Sequence, residues 1–323
     1  MIGHINMFQP KLALSVVSSR YVVLLGLFVA LSAAAESKNG FVLDGASVPV
    51  SQIMGGGPGR DGIPSLDEPA FVTADKAEFL RPDDRILGVT LNDVARAYPI
   101  RILNYHEIVN DALGGTPIVI TYCPLCGSGM AFDATIDGNR LDFGVSGLLY
   151  NSDVLLYDRQ SKSLWSQIMS TAVTGTMKGT RLDPIPVAHT TWRDWQTRHP
   201  DTEVLSTKTR FRRNYAVNPY PNYSQSGRLY FPVAEENSQY PRKSIVMGLE
   251  IDNRFKAYPF EELQKGPSHF QDEYQGQQFE VDYDEQNQTA RILDADGNEL
   301  PTLMAFWFAW YAFHPDTEIY TAD

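Results

Sequence analysis

Gly88-Val89-Thr90-Leu91-Asn92-Asp93-Val94-Ala95-Arg96-Ala97-Tyr98-Pro99 returns later in the chain as Gly248-Leu249-Glu250-Ile251-Asp252-Asn253-Arg254-Phe255-Lys256-Ala257-Tyr258-Pro259. Working outward, two more phrases recur in the same order. Asp137-Gly138-Asn139-Arg140-Leu141 pairs with Asp296-Gly297-Asn298-Glu299-Leu300. Trp195 with His199-Pro200-Asp201-Thr202-Glu203 pairs with Trp310 and His314-Pro315-Asp316-Thr317-Glu318. Repetition at several points in one order reads as two copies of one module.

Within each copy, short apolar runs alternate with turn residues. Ile86-Leu87-Gly88-Val89, Pro117 to Tyr122 and Phe279 to Tyr283 read as strands, and the two Asp-Gly-Asn sequences as hairpin turns. Thr191 to Trp195 and Phe306 to Phe313 read as short helices, each closed by a His-Pro step because proline disfavours helix at the residue before it. The expected fold is mainly β with a few short helices (α+β), two degenerate copies of one β-rich module packed together. The expected boundaries are a signal peptide at 1–35, an irregular leader at 36–83 and a first module at 84–209. A Tyr-, Pro- and Asn-rich connection at 210–242 and a second module at 243–323 follow.

The start of the chain carries Lys11 and Arg20, an apolar run from Tyr21 to Leu31, and then Ser32-Ala33-Ala34-Ala35. This is the pattern of a secretory signal peptide, and it places the protein in the periplasm or outside the cell. The other reading is an uncleaved N-terminal anchor, although the run is shorter than the ~20 residues of a membrane span. No later segment is apolar enough to cross a bilayer, so the mature chain is expected to have no membrane span. Those two bases are the only ones among 27 in positions 1–35, which hold no acid; the remainder has 25 bases against 39 acids, a net charge near −14. Such a surface repels nucleic acid, and none is expected as a partner. The partner is left open as a small molecule or a protein.

The repeat also works as an internal control. A residue kept in both copies belongs to the frame, which is the reading for His199 and His314. A residue in one copy alone is a candidate for chemistry. Spacing sets Asp284 opposite Cys123, Asn287 opposite Cys126, Pro267 opposite His106 and Met304 opposite His189. The first copy also carries roughly 44 extra residues, from Phe143 to about Pro186, that the second omits.

Cys123 and Cys126 are the only two cysteines, held in Thr121-Tyr122-Cys123-Pro124-Leu125-Cys126-Gly127. A strand entering a Cys-Pro-x-Cys-Gly turn is the knuckle of rubredoxin-type and zinc-ribbon sites. The proline fixes one backbone angle, and the glycine accepts the positive φ that turns both thiols toward one point. The same spacing serves reversible disulfides, but there the first cysteine opens a helix. Gly127-Ser128-Gly129-Met130-Ala131-Phe132-Asp133 is a poor helix and a fair strand. A third possibility is an inert disulfide, which an exported protein can keep.

Two thiolates need further ligands from His, Met or a carboxylate. His106 leads, because it belongs only to the copy with the thiols and precedes their strand by one turn; this predicts an imidazole nitrogen within ~4 Å of the sulfurs. His189 comes next, then Met130 and Asp133 on the strand leaving the knuckle. The cofactor expected is one copper or zinc ion. If His106 turns away and no other His or Met reaches the sulfurs, the site has only two protein ligands and the disulfide reading is preferred. Glu107, Asn151, Asp158, Arg159 and Trp165 stand as groups that could orient a ligand or a substrate, against the ordinary alternatives of surface turn and core.

Asn-Tyr-His-Glu-Ile-Val-Asn-Asp (104–111), Thr-Tyr-Cys-Pro-Leu-Cys-Gly-Ser-Gly-Met-Ala-Phe (121–132), Gly-Val-Ser-Gly-Leu-Leu-Tyr-Asn-Ser-Asp (144–153) and Ser-Leu-Trp-Ser-Gln (163–167) resemble the bacterial and archaeal proteins grouped as domain of unknown function 3179. The resemblance runs over about residues 55 to 321. It implies an exported prokaryotic protein and brings no established reaction with it. Three functions follow from the residues themselves. The first is an exported protein binding a soft metal through the knuckle plus histidine, with metal-dependent redox catalysis open to it. The second is a thiol-disulfide oxidoreductase using Cys123 and Cys126. The third is a non-catalytic scaffold with a structural disulfide. No Ser-His-Asp elbow, phosphate-binding glycine loop or His-Glu-x-x-His helix is present.

Overall fold

Strand Gln277–Asp284 buries every second side chain, Phe279, Val281 and Tyr283, as a half-covered strand should. Strand Thr116–Cys123 is buried from Ile118 to its end, because neighbours cover both of its faces. Both belong to a computed structural model that describes residues 1–3 and 36–322; the segment expected to carry the export signal lies outside the described residues.

The protein is mainly β, with four short α-helices among the described residues. Beside two two-stranded hairpins, Ser37–Lys38 with Phe41–Val42 and Thr135–Ile136 with Asn139–Arg140, five larger sheets follow one another in chain order among the described residues. Sheet I orders Ala188–Thr191, Arg85–Leu91, Val94–Pro99, Glu203–Leu205 and Phe71–Thr73. Sheet II orders Pro184–Ile185, Ser128–Asp133, Thr116–Cys123 and Ile108–Leu113. Sheet III orders Thr171–Ala172, Leu164–Ser166, Asp153–Asp158, Phe143–Tyr150 and Ile53–Gly55. Sheet IV orders Thr302–Phe306, Ile245–Ile251, Arg254–Pro259 and Glu318–Ile319, and sheet V is Thr289–Leu293, Gln277–Asp284 and His269–Tyr274.

Each sheet packs on the next. Leu87 and Tyr98 of sheet I meet Ile118 and Ile120 of sheet II. Val119 and Phe132 share a core with Val145, Leu156 and Trp165 of sheet III and with Val246 and Leu303 of sheet IV. Met247 and Leu249 meet Phe279, Val281 and Ile292 of sheet V. The ring closes where Arg85 of sheet I donates to the Asn287 and Gln288 carbonyls in a hairpin turn of sheet V, and where Thr191 bonds the Asn287 side chain. This is the arrangement of a five-bladed β-propeller.

The expectation of two packed copies of one module is therefore corrected. What recurs is a pair of sheets, I with II and IV with V. The register is the same in both pairs, with Gly88 opposite Ala97 and Gly248 opposite Ala257. The residues missing from the second pair build four of the five strands of sheet III, which has no counterpart. The helices Trp192–Arg198 and Trp307–Phe313 fall where the His-Pro steps end them. His199 and His314 pack at a tilt against the indoles of Trp195 and Trp310, with ring centres 4.1 and 4.3 Å apart, so both copies use the histidine in the same way.

Candidate functional site around Cys123, Cys126 and Asp153

Cys123 closes strand Thr116–Cys123 and pairs in register with Ser128, so the four residues between form a hairpin tip. Gly127 has φ +63°, and a Cβ there would come within 3.0 Å of the Phe306 ring. Only glycine fits both the backbone angle and the neighbour. Phe306 also donates its N–H to the Cys126 carbonyl at 2.8 Å, which ties the tip to sheet IV. A buried polar chain ties it to sheet III: Ser128 Oγ donates to Gln167 Oε1 at 2.6 Å, and Gln167 Nε2 donates to Thr121 Oγ1 at 2.8 Å.

A second hairpin tip meets the first. Asn151 and Ser152 have φ of 50° and 64°, the pattern of a two-residue type I′ turn between Tyr150 and Asp153. Asn151 is held by the Ala312 carbonyl and the Ala234 N–H, which aims the turn inward. The Ser152 carbonyl accepts from the Cys126 thiol at 3.4 Å and from the Cys123 thiol at 3.8 Å. The next residue, Asp153, is fully buried, and its carboxylate and the two sulfurs lie within 4.8 Å of one another. Oδ2 accepts the Ile168 N–H at 3.2 Å, whereas Oδ1 is buried with no hydrogen-bond partner. Both cysteines are free thiols.

Burial dominates the electrostatics. It pushes the Asp153 carboxyl up to about 7 and the Cys126 thiol well above the ordinary thiol range. Glu107, held at φ +57°, is raised to about 8 by burial and by Asp153. Glu107 and Cys123 line one cavity of about 230 Å³ with otherwise apolar walls, including Leu148, Val154 and Phe231. Tyr220 and Tyr230, from the connection at 210–242, complete that wall. Cys126 does not line the cavity.

The other residues singled out in the sequence go elsewhere. His106 is not brought to the sulfurs. Its Nδ1 bonds the Pro64 carbonyl at 2.7 Å and its Nε2 the Tyr215 hydroxyl at 2.6 Å, so both nitrogens are occupied. Closeness in sequence placed His106 beside the cysteine strand, but its side chain turns toward the leader and the connection. His189 faces a different cavity with Arg85 and Tyr122. Met130 lines a third with Arg181 and Trp310, and Asp133 accepts the Thr135 N–H at a turn. Asp158 accepts from the Trp165 indole at 2.9 Å and from Ser161, which makes Trp165 core and Asp158 its turn partner. Arg159 reaches Ser65 and Asp67 of the leader.

Asp153 is the residue that sequence reasoning missed. Asn-Ser-Asp reads as a polar turn, yet it sits in the extra segment of the first copy, and that signal could have found it. A second group, His269, Glu280 and Asp282, also converges, but it is more exposed and Asp282 is already paired with Arg291 at 2.8 Å.

Residues 60–317 match the model of a family described as protein of unknown function DUF3179. The chain belongs to that family. As a DUF3179 protein it carries the knuckle and Asp153 inside the matched span, together with all of the cavity lining except Gly56 and Pro58. No curated protein and no solved structure matches it. No helix among the described residues is long and apolar enough to cross a membrane.

Proposed function

We propose that this DUF3179 protein acts, after export, as a binder of one soft metal ion through Cys123, Cys126 and Asp153, with the cavity giving access to the ion. The observation that carries this reading is Asp153 Oδ1, a fully buried carboxylate oxygen that bonds no N–H or O–H group and has only the two thiols beside it as donors. A buried unpaired carboxylate costs several kcal/mol, and a cation is the partner that removes that cost while taking up both thiolates. Two sulfurs and one carboxylate oxygen fit zinc better than copper, because the oxygen is harder than the imidazole first expected. A ligand set with three protein groups leaves a position for water or substrate, the condition for catalysis.

Thiol-disulfide exchange is the second reading, and one observation favours it: Cys123 lines the cavity while Cys126 sits behind it. The Cys123 thiolate would attack a substrate disulfide, and Cys126 would displace the substrate. The products are a substrate dithiol and a Cys123–Cys126 disulfide.

Metal analysis of untagged protein purified from an exporting host separates the two. The metal reading expects close to one zinc or copper per chain, lost in Cys123→Ser and in Asp153→Asn and kept in His106→Gln. Metal-free wild type with an oxidised cysteine pair, or full occupancy in Asp153→Asn, overturns it.

A further inference from the structure

A larger cavity, of about 420 Å³, opens where residues of sheets I, II, IV and V and their adjoining turns meet. Its walls are mostly apolar, with Ile100, Ile245, Met304 and Phe306 among them. Its polar lining comprises Asp83, Thr191 and Gln286 to Gln288 together with Arg85, His189 and Tyr122, and the last three carry the argument.

Arg85 is half-buried and donates to the carbonyls of Asn287, Gln288 and His189. Those bonds fix the guanidinium in place, but carbonyls do not neutralise it. Among the described residues no carboxylate lies within ion-pair distance of Arg85. Asp83, which also lines the cavity, is paired with Arg193 at 2.7 Å, and Asp194 with Arg198 at 2.6 Å. Burial lowers Arg85 only to about 10, so it stays cationic at neutral pH. His189 is nine-tenths buried, and its Nδ1 has no hydrogen-bond partner. Tyr122 points its ring edge at His189, with centres 6.2 Å apart.

The repeat sharpens the case. Arg85 begins strand Arg85–Leu91 as Ile245 begins strand Ile245–Ile251, and His189 stands opposite Leu87 as Met304 stands opposite Met247. All four residues face this one cavity. One pair of sheets lines it with isoleucine and methionine, the other with arginine and histidine at the same positions. The frame tolerates the apolar pair, so the polar pair is an addition made for what enters the cavity.

We infer that this cavity is a binding site for a small organic carboxylate with an apolar or aromatic body, the carboxylate held by Arg85 with His189 and Tyr122 and the body against Ile245, Met304 and Phe306. A guanidinium matches a carboxylate through paired N–H donors, and an apolar enclosure strengthens that attraction. The inference does not depend on metal at the cysteines.

Isothermal titration of the full chain with phenylacetate tests it, with phenylacetamide and inorganic phosphate as comparison probes. Saturable binding of one phenylacetate per chain is expected, with at least tenfold weaker binding of the amide and of phosphate. Arg85→Ile should weaken phenylacetate tenfold or more. Tyr122→Phe and His189→Met, which remove groups that brace no neighbour, should each weaken it severalfold and decide the matter if Arg85→Ile does not fold. No saturable binding of phenylacetate, equal binding of amide or phosphate, or unchanged affinity in Tyr122→Phe and His189→Met together would overturn the assignment.

Discussion

Trp310 lies so close over Gly248 that a Cβ on the glycine would sit 2.0 Å from the indole ring. The same relation recurs between Trp195 and Gly88, at 2.3 Å. In each case the indole N–H is fixed by a threonine hydroxyl, Thr317 at 3.0 Å and Thr202 at 2.9 Å, so the ring cannot slide away. Gly88→Ala and Gly248→Ala should each lower unfolding stability by about 1–3 kcal/mol, the range for overpacking a tight core. Urea denaturation checks this. A loss below about 0.5 kcal/mol at both sites would show that the indoles have room to move.

Acid should loosen the protein through His106. Burial lowers this imidazole from 6.5 to about 4, so between those values the unfolded chain binds the proton and the folded chain does not. Stability is therefore full above pH 6.5 and falls as pH drops toward 4, by about 2–3 kcal/mol from this residue. In denaturation curves at pH 7 and pH 5, His106→Asn should flatten that slope relative to wild type. Equal slopes would mean that His106 keeps an ordinary affinity for protons in the fold.

The residues standing opposite the cysteines should carry no metal. Asp284 accepts from the Asn287 N–H at 3.0 Å and from its side-chain amide at 2.7 Å, a local turn and no more. Asp284→Ala should cost about 1 kcal/mol and leave metal content as it is in wild type. Loss of metal comparable to that in Cys123→Ser would mean that sheet V contributes to the same centre.

Gln167 is expected to act on the thiol tip from a distance. Gln167→Met removes the partner of both Ser128 and Thr121 inside the core, and unfolding stability should drop by about 2 kcal/mol. Metal should bind more weakly while the cysteines themselves are untouched. Chelator competition reads this directly, and an unchanged chelator midpoint would separate the tip from its polar support.

Much of the fold was legible because the chain repeats itself. The Gly-to-Pro phrases at 88–99 and 248–259 mark paired strands, and the His-Pro steps mark helix ends, so local chemistry and structure agree there. Sheet III was not legible by that route, since a comparison of copies is blind to a segment present once. The site divided in the same way. Cys123 and Cys126 announce themselves by spacing. His106 misled because adjacency along the chain does not say which way a side chain turns, and here Pro64 and Tyr215 claim both nitrogens. Asp153 was hidden because its partners come from another hairpin, and only packing brings the two tips together.

One edge strand of sheet I, Ala188–Thr191, and one of sheet II, Pro184–Ile185, come from one stretch of chain that returns after sheet III. His189 pairs with Leu87 across about a hundred intervening residues. Neither early sheet can be finished until that stretch has emerged, so assembly must wait on loop closure, the slow step for β topologies of high contact order. A nascent chain halted before residue 184 would display two unfinished sheet edges, open to pairing with any neighbouring strand. That delay means that the first two sheets cannot complete themselves before most of the chain has been made.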